Sequence, residues 1–255
     1  MSSPNSILAG QYRLKKYSFP LIKSVLDGNQ EGSVYWNGLH PNYFVIHKFG
    51  FADLIELEPS KEFDEGFLNF LLERNFEQEK LRWYDVPEKW QNVLKNSGDT
   101  KIAFVERVQL KLDASRLMKS INTSNQFRIE PLTISNYDLI DNHFNLSIGA
   151  RFWSSKNHFF YSSFGLVVLI DDLPAGVCYG CAIADKHVEV DVFTHPAHRS
   201  QGIGKIIVNE FIHMCDQRGL TVNWDCYSNN KASVALAKHF NFIPVTTYMH
   251  AIISR

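Results

Sequence analysis

The 255-residue sequence has only four cysteines, no long apolar run and almost no net charge, and each shortage excludes a class of protein. Four thiols, at Cys178, Cys181, Cys215 and Cys226, are too few for a disulfide framework and fit a reducing, cytoplasmic setting. No apolar stretch approaches the roughly 20 residues that span a bilayer, which argues against a membrane-embedded chain. Met1 to Gly10 has no charged segment ahead of an apolar core and does not read as a secretory signal. With 26 basic and 27 acidic residues the formal net charge is −1, so no global field draws nucleic acid or an anionic membrane. Any anion site must be local. Internal repeats and low-complexity tracts are not apparent either. What is present is a 45% hydrophobic composition, enough for one large domain or two modest ones.

The densest information lies between Thr194 and Lys205. There a predicted strand, Val188 to Thr194, gives way to a predicted helix beginning near Ile203, through a loop carrying Gly202 and Gly204. A helix N-terminus presents unpaired N–H groups and the positive end of the helix dipole, a natural seat for phosphate. Spacing separates the possible ligands. A Walker loop needs a hydroxyl residue after its lysine, and none follows Lys205. A dinucleotide fingerprint needs a third glycine, which would fall at Ile207. The pattern left is Arg199-x-x-Gly202-x-Gly204.

Downstream, Ile203, Ile206, Ile207, Phe211 and Met214 repeat at helical spacing, and Arg218-Gly219 supplies a basic last turn and a stop. Leu220, Val222 and Trp224 then alternate with polar residues as a strand, and a short helix is predicted from Asn230, terminated by Asn241. Arg199-x-x-Gly202-x-Gly204 and Asn230-x-x-Ser233-x-x-Leu236, followed by Phe242, resemble the two motifs of the GNAT superfamily of acetyl-CoA-dependent N-acetyltransferases. Glu189, Thr194, Trp224-Asp225-Cys226 and Ala237 extend the resemblance to the branch that contains zwittermicin A resistance proteins. Ser200-Gln201 departs from that branch's usual Gly-Lys and removes a phosphate-facing lysine. The resemblance runs from about Phe127 to Arg255.

Around these motifs the C-terminal half reads as alternating strands and helices. Phe127 to Leu132 is a predicted strand, Ser135 to Leu146 a helix, and Leu166 to Ile170 with Gly176 to Ile183 a hairpin about Asp171 to Ala175. A turn at Asp185-Lys186 and a last strand near Val245 to Ile253 complete it. The expected class is α/β (α+β): the GNAT acyl-CoA N-acyltransferase fold, a mixed sheet splayed between the family's fourth and fifth strands with helices on both faces. Residues 125–255 form that domain, and residues 1–124 form an N-terminal α/β region. In the latter, strands are predicted at Tyr43 to His47 and Ala103 to Leu110, and helices at Asp64 to Arg74 and Pro87 to Leu94. Its aromatics, among them Tyr35-Trp36, Tyr43-Phe44, Phe49, Phe51 and Trp83-Tyr84, are expected mostly in a core.

The resemblance implies acetyl-CoA as cosubstrate, a small amine-bearing acceptor, no nucleic acid, no membrane and no metal, and it allows a homodimer. It assigns the backbone of Val192, Phe193 and Thr194 to the pantetheine arm, and the amides of Arg199, Ser200, Gln201, Gly202, Ile203, Gly204 and Lys205 to the pyrophosphate. Asn230 and Ser233 would hydrogen-bond across the pantetheine channel. For the base, Glu189 and Asp191 sit two apart on one strand face, where mutual repulsion would raise one pKa toward the useful range; Glu189, which matches the family position, ranks first. The tyrosine that many family members use as acid is replaced by Ala237, leaving Tyr227, Tyr248 and Cys226 nearby in sequence. That departure and the unassigned N-terminal half keep a non-catalytic acyl-CoA-binding or regulatory protein as a rival reading; a protein N-acetyltransferase is a third, for which the sequence shows no acidic cluster. Cys178-x-x-Cys181 with His195-x-x-His198 has zinc-like spacing, but an offset of three along a strand puts the two thiols on opposite faces.

Overall fold

The computed structural model describes residues 11–12, 19–35, 41–113 and 127–255. Trp36, the Met1 to Gly10 start and the 124/125 boundary lie outside that range. The chain divides into two compact units, one of Met1–Val108, Tyr227–Asn229 and Thr247–Arg255, the other of Gln109–Cys226 and Asn230–Thr246. Among the described residues no helix is long and apolar enough to cross a membrane.

The first unit contains α1 (Pro20–Leu26), β1 (Gly32–Tyr35), β2 (Tyr43–His47), β3 (Phe51–Ile55), α2 (Lys61–Leu72), β4 (Lys80–Trp83), α3 (Glu88–Asn96) and most of β5 (Ile102–Leu112). Its strands run in the order β1-β2-β3-β4, followed by the end of the C-terminal strand β11 (Phe242–Ser254). There Ala251 stands opposite Trp83 and Ser254 opposite Lys80. The helix α2 forms because Ser60 caps it, its Oγ accepting from the Phe63 amide at 3.1 Å, and because Phe63, Phe67, Phe70 and Leu71 recur on one face. That face meets Phe44, Trp83 and Trp90, with ring centroids 4.8 Å apart for Phe44–Phe67 and 4.9 Å for Phe67–Trp90. A second cluster stacks Phe19 on Tyr84 at 4.1 Å. Tyr43, Phe44, Trp83 and Tyr84 are buried as expected, whereas Tyr35, Phe49 and Phe51 are half-buried.

The second unit contains β6 (Arg128–Pro131), α4 (Tyr137–Phe144), α5 (Ile148–Phe152), α6 (Lys156–Ser162), β7 (Gly165–Ile170), β8 (Leu173–Ala184) and β9 (His187–Thr194). A short 3-10 turn at Pro196–His198, α7 (Ile203–Gln217), β10 (Thr221–Tyr227) and α8 (Lys231–His239) complete it. Its strands run β10-β9-β8-β7-β6, antiparallel except for the parallel pair β9–β10. Two-residue turns join the hairpins. Asp171 and Asp172 have φ of 49° and 63°, and Asp185 and Lys186 have φ of 48° and 65°, the left-handed pairs that match strand twist. The first turn is therefore tighter than the predicted Asp171 to Ala175 loop, and Leu173 already belongs to β8. Between Gly180 and Ala182 the β8–β9 register shifts, leaving Cys181 as the extra residue of a bulge.

Helices cover both faces of this sheet. On one, α7 packs so closely on β8 that a Cβ at Gly176 would sit 2.8 Å from Ile203 Cγ2. On the other, Phe144 of α4 meets Phe193 at 5.3 Å and Phe152 of α5 meets Tyr179 at 6.4 Å. The buried stripe of α7 is Ile203, Ile207, Val208, Phe211, Ile212 and Cys215, so Ile206 and Met214 turn toward its margin.

One order of elements occurs twice. The run β2-β3-α2-β4-α3-β5 and the run β8-β9-α7-β10-α8-β11 are each a hairpin, a helix, a strand parallel to the hairpin's second strand, a second helix and a long strand. No sequence repeat accompanies this duplication.

Candidate active site

In the second unit β9 and β10 start side by side and then part. They pair at His187/Thr221, Val188/Val222 and Glu189/Asn223, yet β9 continues to Thr194 and β10 to Tyr227. Val190 to Thr194 stay bound on their other side to β8, from Gly180/Val190 to Gly176/Thr194. Past Glu189 the free side of β9 is a row of backbone donors and acceptors with no strand against it among the described residues. Such an edge takes an extended, amide-bearing chain as an added strand.

The strand leads directly into the anion seat. His195 is anchored to the strand layer by its N–H to Ala175 O at 2.9 Å, and its Nδ1 accepts from Ala197 N at 3.3 Å. Ser200 (φ 63°) and Gly202 (φ 84°) are both left-handed, and Gly202 caps α7. Among the described residues the amides of Ser200, Gln201, Gly202, Ile203 and Gly204 donate to no protein acceptor; the first inward bond is Lys205 N to Gly202 O at 2.9 Å. Five consecutive N–H groups at the positive end of a 15-residue helix form a nest for an oxyanion. A Cβ at Gly202 would meet nothing within 4 Å, so the space above the seat is open. Arg199 and Lys205 are exposed at its edge, with Arg199 Nε leaning on Thr194 O at 3.4 Å.

The two carboxylates differ in their settings. Glu189 is 6% exposed and its Oε2 accepts from Asn223 Nδ2 at 2.5 Å, a side-chain bond across the last backbone pair before the strands part. Its carbonyl also accepts from the thiol of the bulged Cys181 at 3.3 Å. Asp191, two residues further on, lies in the open part of the crevice with a half-exposed side chain. It accepts from the Tyr179 hydroxyl at 2.7 Å and faces the Arg151 guanidinium at 3.6 Å. Burial, with Asp191 beside it, pushes the Tyr179 hydroxyl pKa well up, so Tyr179 stays a proton donor to that carboxylate. Asn223, Tyr179 and Arg151 were not singled out by the sequence reading. Asn223 showed there only as a polar alternation in a strand, and the other two needed the β8–β9 register and the packing of α5.

On the far wall, Asn230 caps α8 by accepting from Ser233 N at 3.2 Å, and Ser233 Oγ accepts from Trp224 Nε1 at 3.1 Å. Trp224 uses one of the two Ser233 Oγ lone pairs, and the hydroxyl proton remains to donate. Ala237 is fully buried and Cys226 packs as a small apolar residue. Tyr227, the last residue of β10, groups with the first unit, where Arg107 lies over its ring at 4.7 Å and His250 is 6.3 Å away. Cys178, Cys181, Cys215 and Cys226 are buried and in no disulfide. Burial raises the pKa of Cys178 and Cys181 and pushes Cys215 up to about 12, so those thiols are protonated at neutral pH.

Comparison with known proteins returns one consistent likeness. The family model for GNAT acetyltransferase matches residues 13–250. N-acetyltransferase YdfB of Bacillus subtilis (strain 168), itself uncharacterized, is 22% identical over 237 residues, covering 91% of this chain and 90% of its own. A GCN5-related N-acetyltransferase-like protein from Streptococcus suis 89/1591 superposes with a TM-score of 0.76 at 18% identity, covering 97% of this chain and all of its own. A tandem GNAT protein from the clavulanic acid biosynthesis pathway gives 0.66 at 11% identity, covering 100% of this chain and 97% of its own.

Proposed function

Because the chain belongs to the GNAT acetyltransferase family, we propose that it moves an acetyl group from acetyl-CoA to the amine of a small molecule. The observation that carries this is continuity: one stretch of chain, Val190 to Gly204, supplies first an open strand edge and then five free amides in series. Pantetheine is an extended chain of two amides ending in a pyrophosphate, and that order of partners suits it. Val192, Phe193 and Thr194 would pair with the arm. Ser200 to Gly204 would hold the pyrophosphate with Arg199 and Lys205 at its edge, and Ser233 would donate from the opposite wall. A backbone N–H freed on the β9 edge would receive the oxyanion that develops on the thioester carbonyl. Trp224-Asp225-Cys226 and Asn230-x-x-Ser233 support the zwittermicin A resistance branch within the family.

The base in this reading is Asp191. A substrate ammonium must lose its proton before it attacks, and the acceptor has to reach the carboxylate that takes it. Asp191 is half-exposed in the open crevice, whereas Glu189 is buried and held by Asn223. Tyr179 and Arg151 fix the Asp191 rotamer; Glu189 and Asn223 hold the point where the strands part. With Ala237 buried at the usual tyrosine position, the leaving thiolate takes its proton from water. Four buried cysteines outside any disulfide support a cytoplasmic setting.

Two measurements test the reading. Coenzyme A at millimolar concentration raises the melting temperature, and an amine library incubated with acetyl-CoA yields an acetylated member. Asp191→Asn lowers that turnover about 10²-fold or more while coenzyme A binding persists. No thermal stabilisation by coenzyme A removes the assignment of the loop. Stabilisation with no acetylated amine shifts the conclusion to a non-catalytic acyl-CoA-binding protein, which the buried Ala237 already favours.

A further inference from the structure

The first unit has a crevice of the same topology and opposite sign. Its parallel pair β3–β4 holds only for Phe51/Arg82 and Ala52/Trp83, while β3 continues to Ile55. At the carboxyl ends of the two strands lies a cavity of about 340 Å³, where open α/β sheets characteristically take ligands. Leu54, Ile55, Leu57 and Pro87 give it apolar walls; Gln11, Glu56 and Asp85 give it polar groups.

Every feature that makes the β9–β10 crevice an anion seat is reversed here. The Ser60 side chain occupies an amide in the first turn of α2, and Asn42 Oδ1 takes the amides of Leu57 and Glu58 at 2.8 and 3.1 Å. The first turn carries Glu62 and Asp64. Lys89 is already bound between Glu56 and Asp64. Among the described residues the Asp85 carboxylate has no ion pair, and Gln11 Oε1 is buried without a hydrogen-bond partner. Asp85 also holds a left-handed backbone (φ 43°), uncommon outside glycine and sustained only by its surroundings. An unpaired carboxylate and an unsatisfied acceptor beside apolar walls call for a donor that carries positive charge and a short hydrocarbon body.

We infer that this cavity binds a small organic ammonium ion, its charge answered by Asp85, an N–H by Gln11 Oε1 and its alkyl part by Leu54, Leu57 and Pro87. The site is independent of the acetyl-transfer reading and would stand if that reading fell.

The test uses the full-length protein and n-butylammonium chloride as probe, with n-butanol and sodium butyrate as isosteres, titrated by ligand-observed NMR. The ammonium binds saturably, and the alcohol and carboxylate bind at least about tenfold more weakly, as a charge-assisted contact requires. Asp85→Asn, which keeps a residue tolerant of positive φ, weakens the ammonium about tenfold. Leu57→Trp blocks the cavity from an exposed position and abolishes binding. Asp191→Asn and Gly202→Glu leave it unchanged, which separates this cavity from an acceptor site in the second unit. Absent binding, equal affinity for n-butanol, or affinity retained in both Asp85→Asn and Leu57→Trp overturns the proposal, as does loss in Asp191→Asn.

Discussion

After β9 leaves β10 the chain enters a loop whose last five amides, Ser200 to Gly204, donate to nothing in the described protein; after β3 leaves β4 it enters one where Asn42 takes the amides of Leu57 and Glu58. The backbone event is the same, a parallel pair that opens after two or three residues with a helix following its first strand. Side chains decide what each opening can hold. Left-handed Ser200 and Gly202 turn five N–H groups outward, whereas Asn42 and Ser60 satisfy the corresponding stretch from within and Glu56, Glu58, Glu62 and Asp64 make it negative. Topology therefore supplies a crevice twice, and local hydrogen bonding gives each crevice its sign.

Reversing the sign of the second unit's loop is the largest test of that contrast. Gly202→Glu puts a carboxylate and a strained φ into the open loop proposed to hold the pyrophosphate. Coenzyme A affinity falls at least about 100-fold by calorimetry, since an attractive contact becomes a repulsion at short range. Far-UV circular dichroism stays native, with stability reduced by about 1–2 kcal/mol for the left-handed side chain. Affinity within threefold of wild type would mean that these amides are not the seat.

The units also differ in their buried titratable groups. In the second, buried Glu189 accepts from Asn223; in the first, His250 is fully buried, with only the Trp83 backbone favouring a proton on its ring. Burial, then Arg107 and Arg82, hold its pKa well below the usual histidine value. The unfolded chain therefore binds a proton below about pH 6.5 that the native chain refuses. Stability from this residue is complete above pH 6.5 and drains as pH falls toward the folded pKa, by about 1.4 kcal/mol per pH unit. His250→Leu flattens that slope in urea unfolding between pH 7.5 and 5.5. An unchanged slope assigns the acid sensitivity to other groups.

The fold of the second unit was legible in the sequence; the organisation of the first unit was not. Glycine spacing before an amphipathic run located the start of α7, because φ sign and amide availability are local properties; Asn241 ends its helix at φ 61° for the same reason. The duplication was invisible. In β3 the middle residue is Asp53, which breaks the apolar reading yet is fully buried beside Tyr12 and Tyr43. In β4 only four residues pair, and α1 is buried on every side and so shows no helical period. The bulge at Cys181 and the partners of Glu189 and Asp191 depend on cross-strand register, which a single strand's residues do not encode.

The smallest effects separate shape from charge. Ser60→Ala removes the cap that closes the first unit's helix and costs about 1 kcal/mol, with coenzyme A affinity untouched because that helix holds no phosphate. Gly204→Ala should do less. Its φ is not left-handed, and an added Cβ would stand 3.5 Å from Leu236 Cδ2 and 3.6 Å from Thr194 Oγ1, ordinary contact distances. Alanine is also the better helix former by up to about 1 kcal/mol, so any residual crowding is offset. Melting temperature and coenzyme A affinity should both remain near wild type, the latter within about twofold, roughly 0.4 kcal/mol. A tenfold loss would show that the bound anion lies against Gly204 itself, and would centre the seat two residues beyond Gly202, inside the helix.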